Sequence, residues 1–333
     1  MEVLQIIWYA LLGVLLAAFL ICAGFDIGAE ILLAFVRDSR RRQAVMREIA
    51  PFWDGNQVWL VTAGGALFAA FPRAYSAVLS LAYIPVILLL VFLIFRVAAI
   101  EFFLAVSGAR WRCFWADVCA FSGLLAMVVF GVALGSMFGG QILVRGDGGF
   151  WVSMTRFFTP HTVAAAALCV TFCAAQGASY MALKYPEDGE FDRCASRAVT
   201  GLVMMWLVYI FISIFYVRAN ALQHFWGVTA MFVSYLPLTA AMRLARRRKF
   251  GWVFAMTSLF AILAVGAHMI FAYPYIVPPA MGSAGISIFT ASSSCLTLEI
   301  MLGVAAVGVP LALGYFIYSH IVFARRRKGG DEY

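Results

Sequence analysis

Six ionisable side chains lie in or beside long apolar stretches: Asp26, Glu30, Asp54, Arg96, Glu101 and Glu299. Asp26 and Glu30 stand four residues apart, so a helix places both on one face. Two ionised carboxylates on one face repel. One must take up a proton, or a cation must come between them. Arg96 sits deep in an apolar run and cannot usefully deprotonate, so it requires a carboxylate, with Asp26 and Asp54 as candidates. Glu101 follows five residues later, where that run ends. Acids and one fixed cation in apolar surroundings hold or pass protons; no residue here has the spacing of a hydrolytic or phosphate-binding motif.

Each has a plainer reading. Glu30 is close enough to the end of its run to be hydrated, whereas Asp26 is better explained by a partner. Arg96 could snorkel to an interface. Glu299, near one end of the last run, suits interhelical hydrogen bonding. The densest polar cluster is Pro51-Phe52-Trp53-Asp54-Gly55-Asn56-Gln57-Val58-Trp59. Asp54 there can serve as a helix cap, Asn56 and Gln57 can bond between helices, and Trp53 and Trp59 can anchor at an interface. The same Asp, Asn and Gln with water could also form a proton path.

The surrounding chain decides the class. Of 333 residues, 64% are hydrophobic and 12% charged, against about 25% charged in soluble domains. A soluble enzyme and a disordered chain are excluded, and long unbroken apolar runs exclude a β-barrel. We expect an all-α polytopic membrane protein in one integral domain, with nine spans near 4–35, 55–71, 76–100, 117–141, 160–183, 198–217, 224–243, 252–273 and 295–323. The connections after odd-numbered spans carry 19 of the 24 Lys and Arg; the opposite side carries four. This asymmetry puts the N-terminus outside and the C-terminus in the cytoplasm. It also explains the net charge of +8 as topology, with no nucleic-acid partner. The N-terminus lacks the basic region and small-residue site of a cleavable signal. The uncharged loop 274–294 should pack on protein or the membrane interface, and a parallel duplication of spans 1–4 and 5–8 is topologically allowed.

The seven cysteines have neither metal nor disulfide spacing, and Cys169 and Cys173 read as packing residues. His161, His224 and His320 lie near span ends and only His268 is well inside one. No pair has the spacing of a haem ligand set, so no cofactor or metal is expected on this chain.

The block Ala50-Pro51-Phe52-Trp53-Asp54-Gly55-Asn56-Gln57-Val58-Trp59-Leu60, continued by Thr62 to Pro72, resembles subunit II of the cytochrome bd-type quinol oxidases, including the cyanide-insensitive type. Gly24-Phe25-Asp26-Ile27-Gly28 matches that family's first-helix motif. Phe95-Arg96, Gln176 to Tyr180 and Ser292 to Leu298 match weaker ones. The resemblance covers essentially the whole chain. It implies two four-helix bundles plus a peripheral helix in a bacterial inner membrane. It also implies a partner subunit I carrying the b- and d-type haems and the quinol site, and often a small single-helix subunit. The complex would oxidise quinol and reduce oxygen to water, drawing protons from the cytoplasm, with room for a structural quinone or lipid. By resemblance Asp54 belongs to the proton path, Asp26 and Arg96 to stability or proton transfer, and Glu101 to an acidic position after the arginine. Asp117 is one position out of register with a fourth-helix acid. Phe52 replaces a common His and Ala23 a common Asp. An ion-coupled transporter using Asp26, Asp54 and Arg96, and a purely structural membrane partner, are the competing classes.

Overall fold

The computed structural model describes residues 1–139, 157–216, 221–279 and 284–325. Its helices are α1 (Glu2–Leu32), α2 (Ser39–Ile49), α3 (Trp53–Ala70), α4 (Pro72–Leu81), α5 (Tyr83–Ala105), α6 (Ala109–Phe138), α7 (Pro160–Lys184), α8 (Gly189–Tyr216), α9 (Ala221–Val233), α10 (Tyr235–Arg246), α11 (Phe250–Ala272), α12 (Ile288–Ala291) and α13 (Cys295–Arg325). Strands β1 (Tyr275–Val277) and β2 (Ile286–Ser287) form one antiparallel pair. Among the described residues eight helical spans are long and apolar enough to cross a membrane, so the chain is an all-α multi-pass membrane protein. The expected second span exists as α3. Its opening Trp-Asp-Gly-Asn-Gln lowers its apolar character, and it is not among the eight.

Two expected spans are broken. The run 76–100 divides at Ala82 into α4 and α5, and 224–243 divides at Ser234 into α9 and α10. Each break lies three residues before a proline, Pro85 and Pro237. Proline offers no N–H to the preceding turn and its ring crowds it. Elsewhere the local chemistry is regular. Thr159 caps α7 through a reciprocal pair with Thr162, with Pro160 in the first turn.

Helix α1 runs through the centre and packs on α3, α6, α7 and α11, while α13 touches mainly α1 and α3 and leaves its apolar side chains exposed. The closest approach is between α1 and α7. A Cβ on Gly28 would lie 1.7 Å from the Cys173 carbonyl oxygen, and one on Gly177 would lie 2.1 Å from the Ala29 nitrogen. The two backbones therefore touch, and only glycine fits.

The two ends of the bundle differ. At the α2 end, the basic connections are drawn together by acids. Arg41 pairs with Asp188 (2.6 Å) and with Glu190, Arg42 with Asp117, and Arg248 with Asp192 (3.3 Å). Tyr185 donates to Glu48 at 3.0 Å. Asp117 is thus a partner of Arg42 on the surface. At the other end, residues 284–294 fold over α1, α3 and α4. Ser293 donates from its backbone to Ala70 O (2.9 Å) and from its hydroxyl to Ala69 O (2.6 Å), and Gln5 reaches Ser292 at 2.6 Å. The described part of the uncharged loop packs on protein.

Candidate functional site

Asp26, Glu30 and Arg96 meet at the centre of the α1, α3, α5 and α6 packing, and all three are fully buried. The two acids come from successive turns of α1, and Arg96 reaches them from α5. Its Nε lies 2.7 Å from both Glu30 carboxylate oxygens. Its Nη2 lies 3.0 Å from Asp26 Oδ2, but out of line for a hydrogen bond, and Nη1 has no acceptor among the described residues. Asp26 accepts from the Ile27 N–H at 2.6 Å and from Asn56 Nδ2 at 3.0 Å. Asn56 is fully buried, and its Oδ1 receives no donor.

Small residues make room for this cluster. A Cβ on Gly123 of α6 would stand 2.7 Å from Glu30 Oε2, so glycine here lets the carboxylate keep its place against Arg96. The Cys119 thiol, one turn earlier on α6, lies beside Glu30. Burying a lone charge costs several kcal/mol, so a buried cation persists only when paired and hydrogen-bonded.

The remaining anticipated residues fall elsewhere. Asp54 is exposed in the first turn of α3 and does not reach Arg96. Glu101 is exposed at the end of α5. Trp59 is buried and Trp53 half-buried, packed on the core. Gln57 lines an apolar cleft of about 940 Å³ between α1, α3, α4, α5 and α6, and its buried Nε2 has no partner among the described residues. Glu299 is exposed and accepts from the Cys295 thiol at 3.3 Å. Two of the plainer readings fail. Glu30 is not hydrated but is the carboxylate nearest Arg96, because Gly123 admits it to the interior. Arg96 does not snorkel, because both acids of α1 hold it inside.

A second polar cluster escaped the sequence reading. The Tyr209 hydroxyl of α8 lies between His161 Nε2 of α7 (3.2 Å) and His268 Nε2 of α11 (2.8 Å). The Nδ1 atoms face the carbonyls of Gly135 (3.1 Å) and Ala264 (2.8 Å), so each donates there. All three side chains are buried. Both histidines thus commit Nδ1 to a backbone carbonyl, and the one Tyr209 hydroxyl proton can serve only one of the two Nε2 atoms. The His224 and His320 side chains lie outside the described residues. Among the described residues no group of three His, Cys, Asp or Glu suits a metal ion. All seven cysteines are free. A signal for the His–Tyr–His cluster existed in His268, isolated mid-span, but its partners lie 59 and 107 positions away and no local spacing joins them.

Comparison with known proteins supplies the context. The chain is 31% identical to cytochrome bd-I ubiquinol oxidase subunit 2 of Escherichia coli K12, covering 94% of this chain and 92% of the relative. It is 28% identical to cytochrome bd ubiquinol oxidase subunit 2 of Bacillus subtilis, covering 98% and 97%. Its fold matches a chain of the bd oxidase from Geobacillus thermodenitrificans with a TM-score of 0.76 at 19% identity, over 96% of this chain and 98% of that one. With the family profile matching residues 4–323, the chain belongs to the cytochrome bd terminal oxidase subunit II family.

Proposed function

We propose that this chain is the haem-free second subunit of a quinol:oxygen oxidoreductase. In this reading it braces a haem-bearing subunit I and contributes to proton uptake from the cytoplasm while the complex reduces oxygen to water. The observation that carries the reading is the buried Asp26–Arg96–Glu30 cluster in a chain of this family. A charge at this depth costs about 2.5–3.5 kcal/mol on insertion scales, and three such side chains are explained by charge handling. Asp54 fits as the entry. It lies on an open face of α3, where Gly55, Gly64 and Gly65 have nothing within 4 Å of a would-be Cβ. In this reading subunit I covers that face, and Asp54 hands protons across the seam. Glu101 supplies a further acid at the same end.

The chemistry of the haems is redox: they take electrons from quinol and deliver them to oxygen. Backbone carbonyls hold both Nδ1 atoms and the Tyr209 oxygen stands against both Nε2 atoms, which supports placing all three haems in subunit I. The finer architecture is proposed as nine spans in two four-helix bundles, α1 to α6 and α7 to α11, with α13 peripheral. Counting α3 as a span keeps the basic connections on one side, the cytoplasm, with the N-terminus outside. The apolar cleft beside Gln57 has the volume of a ligand site and suits a structural quinone or lipid. A small single-helix subunit completes the assembly.

The test is purification of the complex. Copurification with a haem-rich membrane subunit and quinol-dependent oxygen uptake are expected; a stable haem-free monomer that transports a solute would sink the reading. Within the complex, Asp54→Asn should lower turnover while haem content persists. Unchanged turnover at saturating quinol rejects Asp54 as an obligatory carrier.

A further inference from the structure

We infer that Glu30 is the standing counter-ion of Arg96, and that Asp26 is the member of the cluster that holds a removable proton, matched by the Asn56 amide. The first step is a charge count. Asp26, Glu30 and Arg96 are fully buried together. Arg96 stays cationic, so two bare carboxylates would leave a net negative charge inside the membrane, where unpaired charge is costly. One carboxylate is therefore neutral.

The geometry says which. Arg96 Nε meets both Glu30 oxygens at 2.7 Å, within the range of charge-assisted bonds, and the Cys119 thiol lies on the Glu30 side of the cluster. The guanidinium is aimed at Glu30. Toward Asp26 it offers only Nη2 at 3.0 Å, out of line for a hydrogen bond. Asp26 instead faces Asn56, which presents Nδ2 at 3.0 Å and keeps Oδ1 without a donor. A primary amide has a donor end and an acceptor end. Turned by half a rotation, Asn56 Oδ1 accepts from the Asp26 O–H; as found, Nδ2 donates to the Asp26 carboxylate. Asn56 thus serves Asp26 with and without its proton. The other titratable groups facing Asp26 are Cys22 on α1, Cys119 on α6, and Cys173 and Tyr180 on α7. None of them is a second cation or a third acid.

Infrared difference spectra of the assembled complex, recorded across a pH step in H2O and D2O, test this. A deuteration-sensitive carbonyl band of a protonated carboxylic acid is expected, and Asp26→Asn removes it. Glu30→Gln removes it as well, because Asp26 must then ionise to balance Arg96. Asn56→Ala shifts its frequency and Cys119→Ala does not. Absence of any such band, or its survival in Asp26→Asn, overturns the assignment. So does a shift in Cys119→Ala with none in Asn56→Ala, which moves the proton to Glu30. Should the charge variants fail to assemble, the Asn56 and Cys119 variants decide, since both leave all three charges in place. The use of this proton in turnover rests on the function proposed above. An Asp26 band that behaves as described, together with turnover indifferent to Asp54→Asn, keeps the assignment and rejects Asp54 as the entry to it.

Discussion

The two buried polar clusters solve opposite problems. The Asp26–Arg96–Glu30 cluster joins α1 and α5 with an excess of acid over base, and among the described residues it leaves Arg96 Nη1 and Asn56 Oδ1 without partners. The His161–Tyr209–His268 cluster joins α7, α8 and α11 without a charged side chain: both Nδ1 atoms donate to backbone carbonyls, and the one Tyr209 hydroxyl proton serves one of the two Nε2 atoms that face it. The first is held by charge and carries a surplus carboxylate; the second is held by hydrogen bonds between helices and carries no carboxylate. Hydrogen bonding between elements rigidifies a fold, whereas an unmatched carboxylate in an apolar interior is where chemistry is expected. On the proposed function, the charged cluster is the candidate for proton handling and the second cluster the candidate for fixing helices.

The strongest way to break this contrast is Arg96→Leu. Removing one member of a buried charge set costs about 3–5 kcal/mol, so the assembled complex should be lost, read as yield and haem absorbance. Normal yield would show that the two acids do not need the cation. Next is Gly177→Leu, aimed at the crossing that joins both halves. Its first side-chain atom falls 2.1 Å from α1 backbone, and strong loss of folded protein in a detergent stability assay is expected. Tyr209→Phe removes the hydroxyl that both histidines share. A loss of about 1–3 kcal/mol, seen as a lower Tm with turnover per haem unchanged, is expected; a turnover defect would move chemistry into the second cluster.

The smallest effect lies outside the membrane, at Asp188. Partial burial pushes its carboxyl up, but the Arg41 hydrogen bond and the Glu190 N–H outweigh this and hold it below the ordinary carboxylate range. Such a group contributes stability above its unfolded value, about 3.9, and loses it as pH falls through the lower folded value. Asp188→Asn should therefore lower Tm slightly at neutral pH and low salt, with the gap to wild type closing under strong acid. Surface pairs of this kind are weak, and a gap that widens in acid would contradict the pairing.

The charged cluster was half legible in the sequence. Asp26 and Arg96 stood out because each interrupts an apolar run, and the four-residue spacing put Glu30 on the same face. Its burial was not legible, because it depends on Gly123 of another helix, 93 positions away. Asp54 marked an unusual segment, yet only coordinates show that it points away from Arg96. The spans followed from continuous apolarity, while the breaks at Ala82 and Ser234 follow from Pro85 and Pro237, whose effect falls three residues upstream. Of the second cluster only His268 showed, isolated mid-span, because tertiary packing alone brings His161 and Tyr209 to it.

The contact of Gly28 with α7 has a mechanical consequence. Two backbones in contact form a hard stop, so α1 can rock on α7 but cannot slide closer. Asp26 lies two residues from this point and Glu2 lies 26 residues from it. At about 1.5 Å per residue, any rocking moves the far end of α1 about thirteen times as far as Asp26. The charged cluster sits almost at the fulcrum, where the rest of the helix can yield to the membrane or to a partner while Arg96 and its acids keep their distances.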